Sequence, residues 1–174
     1  IGVVFPNQGA ERNGAPFFPV GNFLTSESAS GPRTHVYLSE ELTDADRKHM
    51  LDVAVGNGYN MLSIYTYNEN DYDNEEISPY QGGGFGGSFD AGLIATWKSR
   101  VDAIVAAGLT PIIWLVPDDS PNIHGASNSE LQAYITEMVT TFDSLPVLWI
   151  LALEADEYWN QSKVDTLGTH LASA

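Results

Sequence analysis

The sequence contains no cysteine, which excludes disulfide bonds, thiolate metal sites and a cysteine nucleophile. Basic residues are also scarce, with 7 Lys and Arg against 23 Asp and Glu, so the formal net charge at pH 7 is -16. That much negative charge argues against nucleic acid or an anionic membrane surface as the main partner. No apolar run approaches the roughly 20 residues that cross a bilayer, so the chain is expected to have no membrane partner.

What is present suits a folded protein. The 174 residues are 43% hydrophobic and 17% charged, which fits one domain with a sizeable core. The chain begins at Ile1 without a visible signal peptide, and it stops within a helical pattern at Ala174. We therefore expect that a leader has been removed or that the chain is a piece of a longer one.

Apolar segments and helical patterns alternate along the chain. Strands are predicted at residues 17–23, 61–67, 111–116 and 147–153. The last two are almost continuously apolar, which is typical of strands buried on both faces of a parallel sheet. Apolar residues with a period of 3.6 predict helices in the regions 43–56, 93–108, 131–142 and 164–171.

A repeated strand–helix order predicts an α/β fold with a parallel sheet. Two architectures fit it: a small doubly wound sheet, or the first four βα units of a (β/α)8 TIM barrel, which needs about 250 residues to close. The Asn-Gly turn signal at 13–14 predicts that residues 1–16 form a short N-terminal hairpin. Residues 17–174 would then hold βα units 1 to 4, all within a single domain.

The end of the fourth predicted strand is the strongest candidate for chemistry. Glu154 follows an apolar strand directly, and burial beside apolar walls would raise its pKa and let it donate a proton near neutral pH. The alternative is an ion pair or a helix cap. Residues suited to sugar hydroxyls or sugar faces are predicted to line the surrounding cleft: Asn22, Tyr65, Tyr67, Asn68, Trp114, Asp118, Asp156, Glu157, Tyr158 and Trp159.

Other chemical signals are weak, and neither a metal nor a cofactor is expected. The histidines at 35, 49, 124 and 170 have no metal-ligand spacing, although His124 follows the third strand and could touch a ligand. The acidic segment 69–76 resembles part of a calcium loop but lacks the glycine and terminal glutamate of an EF-hand, so a solvated loop is favoured. The glycine-rich segment 82–87 lacks the Lys-Ser/Thr of a phosphate loop.

Four short motifs together resemble a known family. The segment NGAPFFPVGN at 13–22 resembles the opening of (β/α)8 glycoside hydrolases of the DUF4038, or apiosidase-like, group and of clan A more broadly. GYNML at 58–62 and AGLTP at 107–111 resemble the starts of their second and third strands, and PVLWILALE at 146–154 resembles their fourth. The resemblance implies a TIM barrel, a carbohydrate substrate, and Glu154 as general acid/base.

The chain departs from that family at two points. Leu153 stands where clan A enzymes usually carry an asparagine. Their second carboxylate comes from a seventh strand, so the resemblance implies a partner carboxylate beyond these four units.

Three functions therefore remain open: part of a glycoside hydrolase, a non-catalytic carbohydrate-binding or structural module, or a self-standing half barrel. In each case the open sheet edges are expected to be covered by the remainder of the barrel or by another chain. The acidic composition, the missing Met and the resemblance together lead us to expect a secreted or extracytoplasmic protein.

Overall fold

The computed structural model describes residues 3–4, 10–12, 15–17, 34–69, 77–118 and 120–174. At the start of the chain, β1 (Val3–Val4), β2 (Ala10–Arg12) and β3 (Ala15–Phe17) form a small antiparallel sheet. The antiparallel pairing of β2 with β3 places a hairpin around the predicted Asn-Gly turn. Of the predicted strand 17–23, Phe17 ends β3, and the remaining residues lie outside the described ones.

The other strands that the structure describes form a three-stranded parallel sheet. Its strands are β4 (Met61–Tyr65), β5 (Thr110–Val116) and β6 (Leu148–Ala152), in that order across the sheet. Both pairings are parallel, with Tyr65 beside Trp114 and Trp114 beside Ile150. The prediction of parallel strands in the last three apolar segments is confirmed, although β4 stops two residues earlier than predicted. The predicted burial on both faces holds for most residues of β5 but is wrong for β6, all of which is only partly buried.

The helices are α1 (Asp44–Gly56), α2 (Ala91–Ala106), α3 (Pro121–Gly125), α4 (Asn128–Phe142) and α5 (Gln161–Ser173). Short 3-10 helices occupy Thr34–Val36 and Ala155–Glu157. The four long helices match the predicted ones, whereas α3 and the 3-10 turns are too short to show a period of 3.6. None of the helices that the structure describes has the length and apolar character of a membrane span.

The order of the strands bears on the two predicted architectures. Strands that follow one another along the chain are neighbours in the parallel sheet, and α2 contacts α4, which in turn contacts α5. A doubly wound sheet reverses its strand order and carries helices on both faces. The described strands therefore lie across the sheet in the order in which they follow one another along the chain.

The core lies between the parallel sheet and these helices. Ile64, Ile113 and Leu115 are fully buried there, and Trp97 of α2 and Tyr134 of α4 pack with them in one cluster. Because side chains alternate along a strand, Ile112, Trp114 and Ile150 point to the opposite face. All three are half-buried, so that face is less covered.

A buried arginine fixes the segment that precedes α1. The guanidinium of Arg47 donates to the carbonyl oxygens of Tyr37, at 3.0 Å, and of Ser39. Burial, reinforced by the charge of nearby Arg100, lowers the pKa of Arg47 from its ordinary value. The arginine thus satisfies backbone carbonyls that no helix or strand pairs.

Two backbone bridges close the long connection between β4 and α2. Asn68 and Ile77 exchange N–H···O bonds of 2.8 and 2.9 Å, and a second antiparallel bridge joins Tyr80 to Phe89. The ends of this connection are therefore held together close to the carboxyl end of β4.

Two of the helices begin with a capping box. Thr43 with Asp46 caps α1, and Ser127 with Glu130 caps α4. The Ser127 hydroxyl donates to a Glu130 carboxylate oxygen at 2.6 Å, and the Ser127 backbone N–H donates to the same oxygen at 2.8 Å. These two hydrogen bonds lower the pKa of Glu130 from its ordinary value of 4.5.

The cap predicts an acid-sensitive contribution to stability. Because the pKa of Glu130 is lowered in the folded state, its contribution is present above pH 4.5 and is lost as pH falls through the lowered value. We expect Glu130→Gln to be less stable than the wild type at pH 7 and to approach it at pH 3, as measured by urea unfolding. Glu41→Gln, at an exposed position before α1, is the control, and parallel pH curves for the wild type and Glu130→Gln would contradict the assignment.

Candidate active site

Three predicted site residues come together at the carboxyl end of the parallel sheet. Asp118 lies two residues after β5, Glu154 lies two residues after β6, and Glu157 ends the following 3-10 helix. Carboxylate oxygens of the three lie within 4.8 Å of one another. Neighbouring parallel strands end at the same edge of their sheet, and this is where α/β folds bind ligands.

The backbone at Glu154 is unusual. Its φ of 48° and ψ of 39° place it in the left-handed region, and it is the only non-glycine residue with a positive φ in the part of the chain that the structure describes. Such a conformation costs about 1–2 kcal/mol for a residue with a Cβ, and strain of this kind clusters at functional sites. The chain therefore reverses sharply where β6 ends.

Glu154 is exposed in the structure, whereas the sequence led us to expect burial among apolar walls. The reason is the sharp turn, which carries the residue beyond the edge of the apolar strand. The expected burial of Glu154 is therefore not found among the residues that the structure describes.

The strain at position 154 can be measured directly. We expect Glu154→Gly to unfold with a free energy about 1 kcal/mol higher than Glu154→Ala, since only glycine adopts a positive φ without steric cost. Both variants lose the carboxylate, so the comparison isolates the backbone, and urea denaturation measures it. At Asp102, exposed on helix α2, the order should reverse, with alanine the more stable by about 1 kcal/mol. The same order at both positions would contradict the left-handed turn.

An aromatic stack lies beside the three carboxylates. The rings of His124, on α3, and Tyr158 are parallel within 7°, with centroids 3.6 Å apart. His124 Nε2 donates to the carbonyl oxygen of Pro117 at 2.8 Å, and the Tyr158 hydroxyl donates to the carbonyl oxygen of Leu153. His124 is therefore hydrogen-bonded to the residue before Asp118, and Tyr158 is hydrogen-bonded to the residue before Glu154.

Burial and nearby negative charges keep the Tyr158 hydroxyl protonated, so that it can donate its hydrogen bond. Burial raises the pKa of the Tyr158 hydroxyl above its ordinary value, and four negative charges raise it further. Those charges belong to Asp118, Glu154, Glu157 and Asp156. The phenol therefore stays protonated at neutral pH and keeps its hydrogen bond.

Several predicted cleft residues lie in the core instead. Tyr67 is 1% exposed, with its ring edge-on to Phe85, and the side chain of Asn68 is also buried. Trp159 is 6% exposed, and its ring is covered by the Lys163 ammonium group 4.9 Å away. These residues pack the scaffold around the site and do not present a free surface.

The remaining residues that were predicted to line the cleft lie in different places. Tyr65 is 6% exposed and belongs to the core, with its ring centroid 5.5 Å from that of His35. Trp114, beside it in the sheet, is half-buried. Asp156 is exposed in the 3-10 helix beside Glu157. Asn22 lies outside the described residues.

Glu69 has a role that sequence reasoning missed. Its carboxylate accepts the backbone N–H groups of Asn122 and Ile123, at 3.1 and 3.0 Å, and the Tyr67 hydroxyl at 3.1 Å. This ties the end of β4 to α3. Within the segment 69–76, considered above as a calcium loop, Glu69 is the described member, and its oxygens already serve this contact.

The carboxylate trio is the described set that could hold a cation, since carboxylate oxygens are the ligands that calcium and magnesium prefer. Carboxyl groups are also among the side chains that act as general acids and bases. The geometry therefore suits acid–base chemistry at the open end of the sheet.

Comparisons with known proteins place the fold. No protein-family model matches the sequence, and no curated protein matches it significantly. Among solved structures, the chain is similar to a glycoside hydrolase family 5 protein from Bacteroides vulgatus, with a TM-score of 0.66 and 14% identity. That alignment covers 99% of this chain and 37% of the other.

A beta-glucosidase 2 from the fungus Trichoderma reesei aligns at a TM-score of 0.47 and 16% identity, over 73% of this chain and 30% of that one. The chain thus spans about a third of the length of either protein. By its likeness to the Bacteroides protein, the chain has the fold of part of a glycoside hydrolase.

Proposed function

We propose that the chain is part of a glycoside hydrolase that acts on an oligo- or polysaccharide, with Glu154 as the proton donor. The observation that carries the proposal is the position of Glu154. It stands in a strained turn at the carboxyl end of β6, with carboxylate oxygens of Asp118 and Glu157 within 4.8 Å. The likeness in fold to a glycoside hydrolase supports the same reaction class.

The chemistry needs an acid that protonates the departing glycosidic oxygen and a second carboxylate that acts as nucleophile or base. Glu154 supplies the acid in this proposal, because it follows β6 at the carboxyl end of the sheet, with the carboxylates of Asp118 and Glu157 beside it. The second carboxylate comes from beyond these four βα units, as the clan A resemblance implies.

The half-barrel architecture is part of the proposal. The less covered face of the parallel sheet, opposite the helices, contains half-buried Ile112, Trp114 and Ile150, and all of β6 is only partly buried. The remainder of the barrel, or another chain, covers this face and pairs with the open edge. The complete protein is of the clan A or apiosidase-like type, and it acts in a secreted or extracytoplasmic setting.

The test is a screen of the full-length protein on plant and algal oligosaccharides, with chromatography of the products. Release of shorter sugars by the wild type, but not by Glu154→Gln, supports the proposal. Equal cleavage by both proteins means that Glu154 is not the proton donor.

One observation favours a second function. Leu153 takes the place of the asparagine that clan A enzymes carry there, and its backbone carbonyl is engaged by Tyr158. A non-catalytic carbohydrate-binding module would have no need of that amide. Binding of the same oligosaccharides without cleavage, measured by calorimetry, would favour this second function.

A further inference from the structure

The stacked rings of His124 and Tyr158 are hydrogen-bonded to two peptide groups, those that precede Asp118 and Glu154. A peptide group is planar, so the carbonyl of Leu153 and the N–H of Glu154 turn as one unit. The hydrogen bond from Tyr158 to that carbonyl therefore fixes the rotation about the N–Cα bond of Glu154, which is its φ angle. The unusual value of that angle is the one described above.

The same reasoning applies to the neighbouring strand. His124 Nε2 donates to the carbonyl oxygen of Pro117 at 2.8 Å, and that carbonyl belongs to the peptide group that leads into Asp118. Nε2 carries the proton, because a carbonyl oxygen can only accept. One ring thus sets the peptide before Asp118, the other sets the peptide before Glu154, and the stack holds the two rings together.

The stack is itself anchored from behind. Trp159 Nε1 donates to the carbonyl oxygen of His124 at 2.9 Å. Lys163, on α5, donates to the same oxygen at 3.3 Å and to the carbonyl oxygen of Ala126 at 2.7 Å. Helix α3 is therefore held against α5, so neither ring is free to follow a movement of one strand end alone.

We infer that His124 and Tyr158 are positioning residues, which set the separation of the Asp118 and Glu154 carboxylates through the two preceding peptide groups. The inference rests on the proposed function in one respect, namely that Glu154 is the proton donor. An aromatic pair that merely filled space would need neither hydrogen bond, since stacking by itself stabilises such pairs.

The test uses phenylalanine at both positions in the full-length protein. Tyr158→Phe and His124→Phe each keep an aromatic ring in the stack and delete one hydrogen bond. The controls are Tyr134→Phe, which removes hydrogen bonds to Thr66 and Leu115 in the core, and His170→Phe, which removes those to Gln132 and Thr136. Crystal structures give the carboxylate separation, and steady-state kinetics give kcat and KM.

We expect the Asp118–Glu154 separation to exceed 4.8 Å in both test variants and kcat to fall by up to about 100-fold, the effect of a displacement of about 1 Å. KM should stay within about twofold, and the two controls should keep both the separation and kcat. An unchanged separation in both test variants overturns the inference whatever the activity, and so does an increased separation with unchanged kcat. If the wild type cleaves no substrate, the proposed function fails, and the separation alone then decides whether the pair positions the carboxylates.

Discussion

Replacing Glu154 by glutamine is expected to lower kcat/KM by about 10²–10⁴-fold, which is the usual contribution of a general acid or base. Glutamine keeps the size and hydrogen-bonding shape of the side chain but has no proton to give to a departing sugar oxygen. The loss should depend on the leaving group. The phenol of an activated aryl glycoside is acidic enough to depart without protonation. Cleavage of that bond should therefore slow far less in Glu154→Gln than cleavage of a natural sugar linkage.

The measurement is kcat/KM, which reports cleavage of the glycosidic bond, for both substrate types in the full-length protein. Glu41→Gln makes the same chemical change at an exposed position before α1, and it should leave both rates unaltered. Similar losses for the aryl glycoside and the natural linkage would contradict proton donation, because they would indicate damage to the site and not the absence of an acid.

The second large effect is on stability. Trp97, on α2, is 1% exposed and belongs to the main core cluster. Trp97→Ala is expected to lower the free energy of unfolding by about 3–5 kcal/mol, because a large cavity remains where the indole was. Against a total stability of about 5–15 kcal/mol for a typical domain, that loss is a substantial share of the free energy of unfolding. Urea denaturation followed by far-UV circular dichroism measures it.

A milder substitution at the same position sharpens this prediction. The indole N–H of Trp97 is buried and has no hydrogen-bond partner among the described residues, so Trp97→Phe deletes a polar group without breaking a bond. Its cost should therefore be well below that of alanine. Val55→Ala, at a position 49% exposed, should change stability by less than about 0.5 kcal/mol. Equal losses for Trp97→Phe and Trp97→Ala would mean that the N–H is satisfied or that the ring is not closely packed.

The parts of the fold that sequence reasoning predicted are those that local hydrophobic patterns encode. Strands β5 and β6 are continuous apolar runs, and α4 carries apolar residues every three to four positions, so each pattern indicates the type of element. The burial of β6 is lower than its pattern indicates, because all of it is only partly buried. Helix α3 spans only 5 residues, which is too few for a period to show. The interaction of Glu69 with Asn122 and Ile123 spans more than 50 residues of chain, and no local pattern encodes such a contact.

The candidate site, too, could be predicted from the sequence only in part. That Asp118 and Glu154 would approach one another follows from parallel strands ending at one edge. Which aromatic side chains stay available for a ligand does not follow, because the contacts that hold Tyr67 and Trp159 in the core come from residues distant in sequence, Phe85 for Tyr67 and His124 for Trp159. A pattern of tyrosine and tryptophan after a strand is equally typical of a cleft wall and of a core, and tertiary contacts decide between them. The left-handed turn at Glu154 is likewise a tertiary outcome.

The bridge between Asn68 and Ile77 bears on how this scaffold can diversify. Its two hydrogen bonds clamp both ends of the segment 70–76 at the rim of the sheet, so the ends stay together whatever lies between them. Lengthening a segment whose ends are already joined costs little, since each doubling adds only about 0.6 kcal/mol of closure entropy. The stretch between Asn68 and Ile77 is therefore a position at which insertions of new length and sequence are expected to leave β4 and the core beneath it unchanged.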